Sequence, residues 1–315
     1  MLLRVEHCTH YQYTGTVNMS QHLAHLVPRA WPSQTVLSHS LAVDPPPAFR
    51  DDSIDVYGNH RCFLTLQAPH EHLEICAESL VETHTIEVSP ALKADGKVAW
   101  NEIRDRYRYC AGAPYDPAVE FVFASPMVPI NDLFAEFADD VFRNGRGVLD
   151  ACIALMNQIH AQLKYDPAST EVSTPALDAL AQGKGVCQDF AHIMIGCLRT
   201  LGLPARYVSG YLLTQPPEGQ PRLIGADASH AWVSVYIPTG GEVGFGQWVD
   251  FDPTNDRWGV CSPGEDYVTL AIGRDFSDVS PLRGVIQGGA QHTLEVGVTV
   301  APPAEWPEPE AVEAE

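Results

Sequence analysis

The stretch from Gly183 to Leu203, GKGVCQDFAHIMIGCLRTLGL, most narrows what this chain can fold into. Gly183 and Gly185 give the backbone freedom for a tight turn just before Cys187. From Phe190 onward the apolar residues Phe190, Ile193, Met194, Cys197, Leu198 and Leu201 recur at helical steps. That spacing predicts one buried helical stripe, ended by Gly202 and Pro204. Cys187 is therefore expected at or near a helix N-terminus, where N–H groups without helical partners and the macrodipole favour negative charge. A lone cysteine is more often a small inert hydrophobe than a nucleophile. The segments downstream have to decide between the two.

Two further residues stand at element ends. His230 opens the alternating run AWVSVYI, and Asp252 closes the run QWVDFD before Pro253. Taken singly, each has an ordinary explanation: a polar residue at a strand end, and an Asp-Pro turn opener. Asp250 shares a strand face with Asp252, so periodicity does not choose between them. Asp252 is favoured because Pro253 cannot donate to the ladder and ends the strand there. The order Cys, His, Asp has a chemical logic. A thiolate attacks a carbonyl, an imidazole stabilises the thiolate and protonates the leaving amine, and a carboxylate fixes the imidazole's tautomer. Such acid–base help contributes roughly 10²–10⁴-fold in rate.

Around this centre the chain divides. Residues 1–88 read as a small β-rich domain, with β-prone runs at Leu2 to Tyr13 and Leu73 to Val81 and turns at Pro45-Pro46-Pro47 and Tyr57-Gly58-Asn59. Nine of the thirteen histidines fall here. His7 and His10, like His22 and His25, are three apart and so on opposite strand faces. Only His70 and His72 would share one. No cysteine or carboxylate spacing completes a site, and no metal is expected. Residues 89–130 form a connector packed at the junction, with a short helix near Val98 to Tyr109. A Pro-rich run carrying Tyr115, Phe121 and Phe123 follows it. Residues 131–300 read as helices followed by antiparallel strands, an α+β arrangement. Its helices are Asn131 to Phe142 with an Asn cap, Gly147 to Leu163, and a short one begun by Ser173-Thr174-Pro175. The strands are Ala205 to Leu213, Ala231 to Ile237, Gln247 to Asp252, Tyr267 to Ile272 and Thr293 to Val300. Residues 301–315 read as an acidic disordered tail.

The formal charge of −21 opposes binding to nucleic acid or to an anionic membrane surface. No apolar run is long enough to span a bilayer, and the N-terminus lacks the apolar core of a secretory signal. A cytoplasmic location is expected. None of the eight cysteines forms a CxxC pair, so free thiols are expected rather than zinc ribbons or disulfides.

Taken together, GKGVC around Cys187, LGLPARYVSGY, Ala-Ser-His230-Ala-Trp and Asp252-Pro-Thr-Asn resemble the transglutaminase-like superfamily of cysteine enzymes, most closely its bacterial branch. The run IGRDFSDVSPLRGV from Ile272 resembles that branch's C-terminal signature, and the first 85 or so residues resemble its preceding β domain. The resemblance implies a papain-like core of helices on an antiparallel sheet and a Cys187–His230–Asp252 triad. It implies acyl transfer on peptide, isopeptide or glutamine amide bonds, with a peptide or protein as substrate. Hydrolysis is favoured because nothing marks an amine site. The rivals are a protein-glutamine transglutaminase and a non-catalytic module that holds a peptide in a retained cleft. The backbone N–H of Cys187 is a natural oxyanion donor. Tyr165, Gln188, Asp227 and Trp232 are further candidates to line the site. No cofactor is expected, and with no DxDxDG-like loop, no calcium requirement.

Overall fold

A computed structural model describes residues 1–214, 229–240, 244–288 and 291–306. The N-terminal domain is a sandwich of two four-stranded antiparallel sheets. Its first strands are β1 (Leu2–Val17), β2 (Met19–Ala24), β3 (Gln34–Asp44), β4 (Phe49–Ile54), β5 (His60–Leu66) and β6 (His70–Thr83). Strict alternation drives the pairing. Along β1, Leu3, Val5, His7 and Thr9 turn inward while Arg4, Glu6, Cys8 and His10 turn outward. Tyr13, Val17, Leu64, Leu66, Leu73 and Ile75 fill the space between the sheets.

The sandwich is completed from the far end of the sequence. Strand β14 (Leu282–Gln287) pairs with β2, and β15 (His292–Ala301) pairs with β1. The expected boundary that gave residues 131–300 to the catalytic domain is therefore corrected: the last two strands belong to the N-terminal domain. The tail is corrected as well, because Ala301 ends β15 and the Trp306 ring carries the Arg4 guanidinium 4.0 Å above it. Residues 307–315 lie outside the described residues. The expectation of free thiols is also corrected. Cys8 and Cys76 stand directly opposite in the β1–β6 register and are joined as a disulfide, while the other six cysteines are free. His70 and His72 do not share a face. His70 is buried at the start of β6, where the pairing with β1 shifts register, and His72 is exposed.

The second domain is α+β. Helices α1 (Pro90–Asp95), α2 (Trp100–Arg106), α3 (Asp132–Ala138), α4 (Val148–Gln162), α5 (Ala176–Gln182), α6 (Cys187–Thr200) and α7 (Phe276–Val279) surround a five-stranded antiparallel sheet. Its strand order is β12 (Arg257–Val260), β11 (Gly246–Asp252), β10 (Ser229–Pro238), β9 (Ala205–Leu212), β13 (Tyr267–Gly273). A two-residue parallel pairing joins β7 (Lys164–Tyr165) to β8 (Lys184–Gly185). The stretch read as a connector joins this core. Leu92, Trp100 and Ile103 are buried in the same cluster as α6. Of the three aromatics in its Pro-rich run only Phe121 is buried, its ring 5.7 Å from Tyr57 and 5.4 Å from Trp248. Tyr115 and Phe123 are exposed.

Helix α6 is buried all round, from Gln188 to Arg199, and not along one stripe. A helix enclosed on every side has to be apolar or internally satisfied on every side. Phe134 of α3 lies over Gly196, where an added Cβ would meet the ring at 2.7 Å. Arg199, at the other end, is buried but donates to the carbonyls of Phe121, Ala205 and Arg274. The two domains meet at β13, the edge of the sheet. Gln34 exchanges two hydrogen bonds of 2.7 Å with the N–H and carbonyl of Thr269, and Asn59 exchanges bonds of 2.9 and 2.7 Å with those of Ile272. Two side-chain amides thus stand in for a missing neighbour strand and cover an edge. No helix among the described residues is long and apolar enough to cross a membrane.

Candidate active site

Cys187 is the first residue of α6 and is partly buried. The turn that delivers it is fixed by named contacts. Gly183 ends α5 with a left-handed φ of 65°. Ser173 and Thr174 do not cap that helix as expected; Pro175 occupies the cap position. Asp189 lies under the turn with Oδ2 accepting from Val186 N at 2.8 Å and from Thr170 Oγ1 at 2.7 Å. Gly185 has to be glycine, since a Cβ there would fall 2.6 Å from that carboxylate. The sulfur is thereby held at the positive end of a rigid, buried helix.

His230 comes to it from the start of β10. Its Nε2 lies 2.7 Å from Asp252 Oδ2, and the Cys187 side chain is close enough to the ring to raise its pKa. Asp252 is fully buried and saturated. Oδ2 also accepts from Tyr267 Oη at 2.7 Å and Asn255 Nδ2 at 2.7 Å, while Oδ1 accepts the backbone N–H of Thr254 at 2.9 Å. Burial raises a carboxyl, but these donors win and hold Asp252 below the usual carboxylate range. Burial likewise lowers the imidazole, yet the bonds and charges of Asp252 and Cys187 outweigh it and raise His230 to about 10. The geometry favours an imidazolium against the Asp252 carboxylate. Trp232 stacks against the ring at 6.2 Å between centroids, and Tyr267 flanks it at 5.9 Å.

The choice between Asp250 and Asp252 is settled by distance along the strand. Both face the same way, but Asp250 is opposite Ser234 and accepts Trp232 Nε1 at 2.9 Å. Only the residue at the strand end reaches His230.

The other candidates separate clearly. Tyr165 is half exposed and lines a cavity of about 340 Å³ with Leu212, Ser229, His230, Thr254 and Asn255. Its phenol is pushed up first by burial and then by the charge of Cys187. Gln188 is corrected: its side-chain amide donates to the Val172 carbonyl at 2.9 Å and is buried. Trp232 is corrected too, because its fully buried indole N–H is spent on Asp250. Asp227 lies outside the described residues. Asn255, Tyr267 and Asp189 were not singled out in the sequence. Asn255 follows Asp252-Pro-Thr and was legible as part of that motif, whereas Tyr267 reaches Asp252 only through sheet packing. A larger cavity of 660 Å³, lined by Tyr57, Phe121, Arg206 and Trp248, opens at the domain junction. It holds none of the Cys187–His230–Asp252 group.

Comparison with known proteins agrees with this architecture. Residues 3–82 match the bacterial transglutaminase-like N-terminal region, and residues 135–253 match the transglutaminase-like superfamily core. An uncharacterised protein of Mycobacterium tuberculosis strain H37Rv is 37% identical over 95% of this chain and 92% of its own length. One from Mycobacterium leprae is 33% identical over 95% and 98%. A solved structure from Cytophaga hutchinsonii, provisionally described as a cysteine protease, superposes with a TM-score of 0.71 at 22% identity, over 96% of this chain and 90% of that one. The chain belongs to the transglutaminase-like superfamily of cysteine enzymes, in the branch that carries the bacterial N-terminal region.

Proposed function

We propose that this protein is a cysteine hydrolase acting on amide bonds of peptides, isopeptides or glutamine side chains. The observation that carries the reading is the His230 imidazole held by Asp252 through Nε2 at 2.7 Å, with the helix-start Cys187 near enough to act on its pKa. The Cys187 thiolate attacks the carbonyl and the C=O electrons move to oxygen. The backbone N–H of Cys187 supports that oxyanion. The tetrahedral species collapses, the C–N bond breaks, and His230 gives its proton to the leaving amine. Water then attacks the thioester, His230 takes its proton, and the acid is released with the thiolate restored. Asp252 keeps the ring oriented and charge-compensated throughout. Hydrolysis is favoured over amine transfer because, among the described residues, nothing lining the cavity beside His230 (Tyr165, Leu212, Thr214, Ser229, Thr254 and Asn255) marks a site for a second amine.

The test is mass spectrometry of a peptide and protein mixture after incubation with wild type and with Cys187→Ala. A gain of about 1 Da at glutamine or backbone cleavage, absent with the variant, is the expected outcome. A loss of about 17 Da on coupling an amine to glutamine would instead identify a transglutaminase. Binding without any mass change in either protein would point to a peptide-holding module and overturn the enzymatic reading.

A further inference from the structure

We propose that the outer face of the N-terminal sandwich carries a soft-metal site made of Cys8, Cys76, His10 and Glu74, available when the two sulfurs are reduced. Sequence spacing hides this site because two adjacent strands build it. In the β1–β6 register Cys8 stands opposite Cys76, and His10 stands opposite Glu74. The members on each strand are two apart, so all four project from one face, while Thr9 and Ile75 between them are buried. Ligand atoms of Cys8, His10 and Cys76 all lie within 4.8 Å of one another. Glu74 bridges the pair of rows, with Oε2 3.1 Å from His10 Nδ1 and Oε1 3.5 Å from Cys76 Sγ.

Two thiolates, an imidazole and a carboxylate are a donor set suited to zinc, and four donors match its tetrahedral preference. The surroundings suit a cation. Glu6, Glu78 and Glu295 flank the cluster along the same two strands and β15, and the nearby Arg4 is paired with Glu78 at 3.0 Å. In the structure the two sulfurs are joined. A dithiol reductant would supply two electrons and two protons, breaking the S–S bond and becoming a disulfide itself. The ion then displaces both thiol protons and forms two metal–sulfur bonds. Zinc–sulfur bonds of about 2.3 Å place the sulfurs roughly 3.8 Å apart in a tetrahedron. Metal binding and the disulfide are thus mutually exclusive states of one site.

The experiment uses the full chain carrying Cys187→Ala, which removes the other thiol–imidazole pair able to take zinc. After reduction with a phosphine and anaerobic desalting, the protein is titrated with Co²⁺ and then with Zn²⁺. The expected result is one Co²⁺ per chain with thiolate-to-cobalt charge-transfer absorption, displaced by Zn²⁺ and missing from the oxidised protein. Cys76→Ser should abolish the band. The exposed His10→Ala and Glu74→Gln changes should each weaken zinc by roughly tenfold or more. No band in the reduced protein, a band that survives Cys76→Ser, or an affinity indifferent to His10→Ala would overturn the proposal and leave a purely structural disulfide.

Discussion

Tyr267 shows how much of the site depends on a group that performs none of the chemistry. Its hydroxyl is one of three donors to Asp252 Oδ2, and its ring lies beneath the Arg257 guanidinium at 4.9 Å, which Asp266 in turn holds. Tyr267→Phe keeps the packing and removes the bond, at a cost of about 1 kcal/mol. Turnover should fall by roughly fivefold with little change in substrate binding, as measured by steady-state kinetics on the substrate found above. His230 gives a second expectation, through pH. Its folded pKa of about 10 exceeds the ordinary 6.5, so the folded state binds that proton more tightly. The stabilisation is full below about 6.5 and is lost as pH rises through about 10. Urea unfolding from pH 6 to 10.5 (roughly the interval spanning both values) should show wild type losing its advantage over His230→Gln toward the alkaline end. A constant gap between the two would mean that the ring is not held charged.

At the scale of the element, α6 behaves as a rod whose position fixes the sulfur. Gly196→Ala gains about 1 kcal/mol of helix propensity but drives a methyl into the Phe134 ring. Overpacking of this kind costs about 1–3 kcal/mol, so the variant should unfold at lower denaturant than wild type. Asn59 is the corresponding support at the edge of the sheet. Asn59→Ala would leave the buried N–H and carbonyl of Ile272 without partners, and Arg29 without its 2.8 Å acceptor. A loss of about 2 kcal/mol or more is expected, read from the urea midpoint. The periodicity of α4, α6 and the strands β9, β10, β11 and β13 was legible because helical and strand periods are local properties of sequence, while the short β12 was not foreseen. The full enclosure of α6 was not, because Gln188, Asp189, His192 and Arg199 look like a polar face until their buried partners are known.

At the scale of the whole molecule, the chain closes on itself. The last strands complete both sheets begun by the first two, and Val298 and Val300 share a buried cluster with Leu3, Val5, Tyr211 and Val268. Ending the chain after Pro281 should therefore damage both domains. It opens the β1 and β2 edges and strips a cluster that joins the sandwich to the sheet of the second domain. Soluble yield should collapse and the remainder should bind a hydrophobic dye. A truncated chain that melts like wild type would contradict this architecture.

The sequence by itself determined the helix that begins at Cys187, the strand with His230 near its start, the strand that ends at Asp252, and their order along the chain. Those features depend on neighbours within a few residues, through turn chemistry and hydrophobic period. Only the tertiary structure decided that Asp252 and not Asp250 meets the ring, and that Trp232 and Gln188 are spent on internal hydrogen bonds. It alone decided that Cys8 faces Cys76 and that the C-terminus returns to the first strand. Each of these is a matter of register between distant segments, fixed by which faces are buried together, and no local pattern encodes it.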